Sequence, residues 1–226
     1  MASNAATLAP DRGVLQDLLH VLSQPLTTLH CALEHSLEAD EAQANDVVLA
    51  LEQTERVIEA VRLMRQYLEA EEGNFLAELF PLGLATENVL EQLSMLAEAR
   101  GLQLFAFGTS KATIPVKDAW VQRALLYLFV MLLESVPAGR AIVVLLEDRS
   151  EQCVISGHSL PAKGTGEGAQ PYTLQPNTFQ QVKIAIARRV LASSGGSVEF
   201  YCDGKPGFTI RIPQMQTKSA SDQLIA

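Results

Sequence analysis

Residues 15–37 read LQDLLHVLSQPLTTLHCALEHSL, with leucine at positions 15, 19, 22, 26, 29, 33 and 37. A recurrence every three or four residues is the period of one face of an α-helix. His20 follows Leu19 beside that stripe, and Gln16 and Gln24 stand a turn away on either side. Pro25 comes five residues after His20, inside the helical pattern. A proline there has no amide to bond the carbonyl of Val21, and its ring crowds that carbonyl, so the spacing predicts a kinked helix. A histidine with polar neighbours, one turn before a kink, is a poor choice for packing alone.

The helix is expected over Asp11–Glu38, followed by a turn at Ala39–Asp40. A second helix starts near Glu41 and carries Val47, Leu51, Thr54, Ile58, Val61 and Leu68 on one face, widened by Val57 and Met64. Gly73–Asn74 ends it. Two long helices across so short a link form an antiparallel hairpin. One hairpin cannot bury two stripes this wide, and pairing with a second copy would.

The pattern then changes. A short strand is expected within Asn74–Pro81, a helix over Leu84–Arg100, a strand over Leu102–Phe107 and a buried helix over Lys117–Val136. Strands follow at Ala141–Glu147 and Gln152–Ser156, then a Gly- and Pro-rich loop over residues 157–176. Asn177 with Gln180 three residues on is a capping-box pattern, opening a helix that runs to about Ser194. Ser197–Cys202 and Phe208–Ile212 read as a closing hairpin. The fold class is α+β, with four segments: a disordered N-terminus (1–11), the helical hairpin (12–73), an α/β sandwich (74–213) and a flexible tail (214–226).

The chain has 226 residues, of which 48% are hydrophobic, enough for a substantial core. A net charge of −9 argues against a nucleic-acid or anionic-membrane partner, since nothing offsets phosphate repulsion. Cys31, Cys153 and Cys202 are far apart and form neither a CxxC nor a Cys–His cluster, which argues against a disulfide framework or zinc site and for a reducing cytoplasm. The longest apolar run, Ala124–Leu133, is too short to span a bilayer.

The segment around His20 resembles the H-box of two-component histidine kinases and histidine phosphotransferases. That pattern is a histidine, usually an acidic residue, a few variable positions, then Pro-Leu-Thr and an aliphatic residue. His20, Pro25, Leu26, Thr27 and Leu29 fall on it, whereas Val21 stands where the family usually has Asp or Glu. Residues 74–213 resemble the ATP-binding domain of the same kinases, the GHKL fold, so the resemblance covers roughly residues 12–213. It implies a dimeric four-helix bundle carrying the histidine.

The nucleotide motifs that the resemblance would require are altered. The two asparagine positions of the N-box become Tyr127 and Met131, and a thioether is a poor ligand for magnesium. Ser156 stands near the adenine-binding Asp, and Leu160 replaces a glycine. The last helix opens with Thr178-Phe179-Gln180-Gln181-Val182 instead of phosphate-cradling glycines. The run Gly164–Gly168 lacks the lysine of a P-loop and reads as a loop.

What the resemblance implies is therefore a histidine phosphotransferase of a two-component phosphorelay. His20 takes a phosphoryl group from a receiver-domain aspartate and passes it to another receiver, without ATP. No cofactor or metal is expected on this chain; Mg2+ belongs to the receiver. Arg12, Ser23, Gln24 and Thr27 are the candidate contacts to phosphate or partner. Expected partners are a second copy and response-regulator receiver domains. The alternatives are a non-catalytic pseudokinase scaffold and an active ATP-dependent kinase. His30, His35 and His158 are expected to be solvated, Arg188–Arg189 to lie on a solvated face, and Trp120 to belong to the core.

Overall fold

The helix that carries His20, α1, spans Arg12–Glu38 and continues through Pro25. Around the proline, hydroxyls bond back to carbonyls one turn earlier: Ser23 Oγ to Leu19 O (2.8 Å), Thr27 Oγ1 to Ser23 O (2.9 Å) and Thr28 Oγ1 to Gln24 O (3.1 Å). None of the three goes to Val21 O, the carbonyl whose helical partner Pro25 removes. A second helix, α2 (Ala44–Glu71), packs against α1. The computed structural model describes residues 12–38, 44–160, 176–201 and 207–214. The expected disordered N-terminus (1–11), the turn at 39–40, most of the expected tail and the run 164–168 lie outside these residues.

The leucine stripe of α1 does not act as one packing face. Leu18, Pro25 and Ala32 are buried and Val21, Leu22 and Leu29 half-buried, whereas Leu19, Leu26 and Leu33 are exposed, Leu19 by 55%. On α2 the buried positions are Gln53, Ala60, Leu63, Tyr67 and Ala70. The stripe that stands out in the sequence, Val47, Leu51, Ile58, Val61 and Leu68, is exposed. Both faces repeat every seven residues, so each helix has one seam toward its neighbour and another that the single chain leaves open.

Contacts divide the chain into two compact units. One takes α1 and α2 up to Asn74 together with Pro176–Ile186; the other begins at Phe75 and resumes at Ala187. The second unit contains a two-stranded antiparallel pair, β1 (Leu76–Pro81) with β3 (Thr113–Val116), and a five-stranded sheet. The sheet is built from β2 (Gln103–Phe107), β4 (Ala141–Arg149), β5 (Gln152–Leu160), β6 (Ser197–Tyr201) and β7 (Gly207–Pro213) in the order β2-β4-β5-β7-β6. Only β2–β4 is parallel, so the sheet is mixed.

Helices α3 (Leu82–Ala99) and α4 (Asp118–Ser135) pack on each other and contact the sheet. One sheet face carries Ile142, Val144, Leu146, Ile155, Phe208 and Ile210, all buried. Phe129 of α4 meets Phe208 edge-on at 5.1 Å between ring centroids. The result is an α+β fold whose mixed sheet forms a sandwich with helices.

Several local expectations need correction. Strand β3 was not foreseen, because Pro115 sits in a run of four residues. Strand β5 runs on to Leu160, where the sequence suggests a loop from Gly157. Gly157 is there for packing: a Cβ on it would lie 3.1 Å from Phe208 Cζ and 3.2 Å from Leu132 Cδ2. His158 accordingly lies in a strand and is half-buried. Trp120 is half-buried, with its ring edge-on to Phe75 at 5.2 Å and the Arg123 guanidinium 4.7 Å above it. Arg188 packs over Phe200 at 5.4 Å. The capping box is present in full: Gln180 N donates to Asn177 Oδ1 (3.0 Å), and Asn177 N donates to Gln180 Oε1 (2.9 Å), at the start of α5 (Thr178–Ala192).

Candidate functional site

His20 is exposed on α1, and one hydrogen-bonding partner of its ring is Gln24, one turn on. The Gln24 amide nitrogen lies 3.3 Å from His20 Nε2. An amide NH2 only donates, so a bond to it requires an unprotonated Nε2 and the ring proton on Nδ1; the amide turned half a turn would instead accept from Nε2–H. The first of these is the tautomer a nucleophilic Nε2 requires. Ser23 and Thr27 stand on the same exposed side, but their hydroxyl protons go to backbone carbonyls. Each keeps only acceptor capacity toward a ligand. Arg12 opens α1, and its side chain lies outside the described atoms. His30 is exposed, with Nδ1 3.3 Å from Glu34 Oε2.

His20, Ser23, Gln24 and Thr27 line one open cleft of about 760 Å3. The same cleft is lined by Gln53 and Arg56 of α2 and by Asn177, Thr178 and Phe179 at the start of α5, all within the first unit. Gln53, Arg56 and Phe179 are not among the residues the sequence singles out for the site. Gln53 shares the seven-residue seam of Ala60 and Tyr67, and only the structure shows that this seam, and not that of Leu51 and Ile58, is the buried one. A smaller recess of about 410 Å3 adjoins at Arg56 and Phe179, with Glu52, Glu55 and Glu59 around it. Glu59 is already paired, to Lys183 at 3.2 Å and Arg62 at 3.4 Å.

The positions compared with nucleotide motifs lie in the second unit. Met131 is 2% exposed and part of the α4 core, with its carbonyl accepting from Ser135 Oγ at 2.7 Å. Tyr127 is half-buried. Ser156 is half-buried in β5 opposite Thr209, and Leu160 ends that strand. A thioether inside an apolar core offers nothing to a hard cation. Gly157, beside Ser156, packs closely against Phe208 and Leu132 on one face of the sheet. Among the described residues no group of three or more His, Cys, Asp or Glu is arranged to hold a metal ion.

A separate polar cluster ties the segment before β3 to the sheet. Asp148 Oδ1 accepts from Ser110 Oγ at 2.6 Å, and Oδ2 accepts from the Lys111 amide at 2.8 Å. Cys153 Sγ lies 3.2 Å from Ser110 Oγ. Partial burial opposes the charge on Asp148, but hydrogen bonds from Ser110, Lys111, Cys153 and Gln214 outweigh it and hold the carboxyl below its ordinary value. Burial pushes the Cys153 thiol up to about 11, so it is protonated and unreactive near neutral pH. Ser110 and the Lys111 amide both donate to Asp148, so this cluster is a clamp between that segment and β4.

No protein-family model matches the sequence, and no curated protein matches it. Solved structures do match. The histidine kinase AdeS of Acinetobacter baumannii superposes with a TM-score of 0.64 at 20% identity, over 86% of this chain and 98% of that one. The histidine kinase ThkA, in a structure with the response regulator protein TrrA, gives a TM-score of 0.66 at 14% identity, over 89% of this chain and 61% of that one. Full-length ShkA, in complex with AMPPNP, gives 0.56 at 16% identity, over 92% of this chain and 46% of that one. These likenesses define the class: the chain has a histidine-kinase-like fold.

Proposed function

We propose that this chain is a histidine phosphotransferase of a two-component phosphorelay. His20 Nε2 attacks the phosphorus of an aspartyl phosphate on a receiver domain. The N–P bond forms as the acyl P–O bond breaks, and the aspartate leaves with the electron pair as a carboxylate. The Nδ1 proton can pass to solvent because the ring is exposed. Transfer to a second receiver is the same step in reverse. The observation that carries this reading is the exposed imidazole whose Nε2 faces the Gln24 amide within a cleft that also holds an arginine. The kinase-like fold, and a kinase of that fold solved with a response regulator, support receiver domains as partners.

The reading includes a homodimer. The exposed seams of α1 and α2 pair in it with those of a second copy, making the four-helix bundle, and a contiguous apolar surface of this kind marks an interface. It also includes independence from ATP, supported by Met131, buried where the resemblance has a magnesium-binding asparagine. Any Mg2+ sits on the receiver. No helix among the described residues is long and apolar enough to cross a membrane; a cytoplasmic location is part of the proposal, because receivers work there.

The test is phosphotransfer from a panel of phosphorylated receivers. The receiver should lose label to this chain, and His20→Ala should abolish the gain. A second reading, a non-catalytic dimeric scaffold, draws on Val21 at the position where the resemblance has an acid. It requires receiver binding that survives His20→Ala with no labelled protein at any time. Acid-labile label on His20 from ATP alone would instead establish a kinase.

A further inference from the structure

We propose that Arg56 and Gln53 of α2 form the phosphoryl-binding wall of the His20 cleft, with Arg56 a catalytic residue that bonds the phosphoryl oxygens during transfer. The inference rests on the phosphotransfer reading and extends it to residues on the other helix. Arg56 is exposed and lines the cleft together with His20 and Gln24. Among the described residues it makes no ion pair, although three carboxylates surround the adjoining recess. Glu59, one of the three, is held by Lys183 and Arg62, so it does not draw the guanidinium away.

Gln53 is the second and independent sign of a ligand. Its side chain is 6% exposed, yet among the described residues its amide makes no hydrogen bond. Every fully sealed side-chain nitrogen or oxygen among the described residues has a partner, so the Gln53 amide must keep a little accessible surface; Gln53 lines the cleft. The amide therefore meets the solvent of the cleft from an otherwise buried side chain, and a ligand oxygen can take the place of that water. A phosphoryl group on Nε2 offers three oxygens. It can take a forked pair from Arg56, one N–H from Gln53 and one from Gln24. Thr178 and Phe179, in the first turn of α5, line the same cleft, and a helix N-terminus there adds positive potential. This donor set is built for a dianion, and His20 supplies the atom to which it is attached.

The experiment uses the full chain and two donors, phosphoramidate and a phosphorylated receiver, and follows phosphohistidine formation by 31P NMR and acid-labile label. Arg56→Gln should slow formation from both donors by at least about tenfold, less than a buried arginine finger achieves because water shares this cleft. Arg56→Lys should recover part of the rate, since charge returns without the fork. Arg65→Gln, which removes an exposed guanidinium paired with Glu69 on the same helix, should match the wild type. Gln53→Leu should fold at least as well and shorten the lifetime of phosphohistidine. If wild-type His20 is never phosphorylated, the phosphotransfer reading falls and this inference with it. If His20 is phosphorylated and Arg56→Gln, Arg65→Gln and wild type are equally fast, only the wall assigned here is wrong. If Arg56→Gln slows transfer from the receiver but not from phosphoramidate, Arg56 is a docking residue and the assignment is overturned.

Discussion

The side-chain amide nitrogen of Gln24 lies 3.3 Å from Nε2 of His20, one helical turn away on an exposed face. With the amide as donor, this contact favours the tautomer whose ring proton is on Nδ1 and whose lone pair is on Nε2. It also blocks that lone pair until the amide swings aside, after which its N–H can bond a phosphoryl oxygen. Gln24→Ala should leave the ring's tautomers mixed and slow phosphotransfer roughly two- to tenfold, the value of one hydrogen bond of about 0.5–1.5 kcal/mol. Histidine side-chain 15N shifts report the tautomer directly. An unchanged Nδ1-H population in the variant would show that Gln24 does not set it.

Ile58 of α2 is 52% exposed at the centre of the open seam. Burying an isoleucine stabilises by about 1.5–3 kcal/mol, and a two-fold interface repeats each contact. Ile58→Glu should therefore weaken self-association roughly a thousandfold, at about 1.4 kcal/mol per tenfold. Light scattering after gel filtration should give a dimer mass for the wild type and a monomer mass for Ile58→Glu at micromolar concentration. A wild type that runs as a monomer contradicts the dimeric bundle outright.

The capping box at α5 offers a stability prediction. Asn177→Ala removes the acceptor of the Gln180 amide and should cost about 1 kcal/mol. Gln180→Ala removes the reciprocal bond to the Asn177 amide. Because each side chain orients the other, the double variant should lose less than the two singles added together. Urea midpoints for the four proteins decide it, and strict additivity would mean the two bonds act independently.

This capping box was readable from the sequence because its chemistry is local: the side chains that matter are three residues apart. The strands flanking Asp148 and the helices around Leu128 were readable for the same reason, as their periods are written in adjacent residues. Gly157 was misread because glycine marks both turns and close packing. Only Phe208, fifty-one residues away, makes the second meaning the right one. The His20 side of the cleft was legible from the proline spacing. Arg56 and Gln53 were not, because the apolar stripe of α2 has two seams, and nothing local says which one faces α1. The most hydrophobic seam, with Leu51 and Ile58, turned out to be the open one.

The packing of Met131 bears on whether a nucleotide site could be restored. Its side chain is 2% exposed, in the α4 core. Met131→Asn, the change that would recreate the kinase residue, puts an amide without a partner where a thioether packs. It should destabilise by about 2–5 kcal/mol, from lost apolar burial and an unmet hydrogen bond, and should not confer ATP binding. Thermal unfolding and labelled-nucleotide retention test the two halves separately. A stable variant that binds ATP would show that α4 is a kinase helix one substitution from activity.

The Ser110–Asp148–Cys153 clamp gives opposite effects at the two ends of the pH scale. The Asp148 carboxyl is held below its ordinary value in the folded chain, so its contribution to stability is present above the ordinary aspartate range and is lost as pH falls through the lowered folded value. Ser110→Ala takes away the 2.6 Å hydrogen bond and should move acid unfolding to higher pH. At the alkaline end the sign reverses. The folded Cys153 thiol is raised to about 11, so an unfolded thiol ionises first. Stability is then complete below the ordinary thiol value and declines as pH rises toward about 11. Cys153→Val should flatten that alkaline branch and leave the acid branch to Asp148. Alkylation checks the same group in the native chain: near neutral pH the exposed Cys31 should react with iodoacetamide while the buried Cys153 stays unmodified. Equal modification of Cys31 and Cys153, read by peptide mass, would mean that the strand carrying Cys153 opens readily and that the clamp does not hold it.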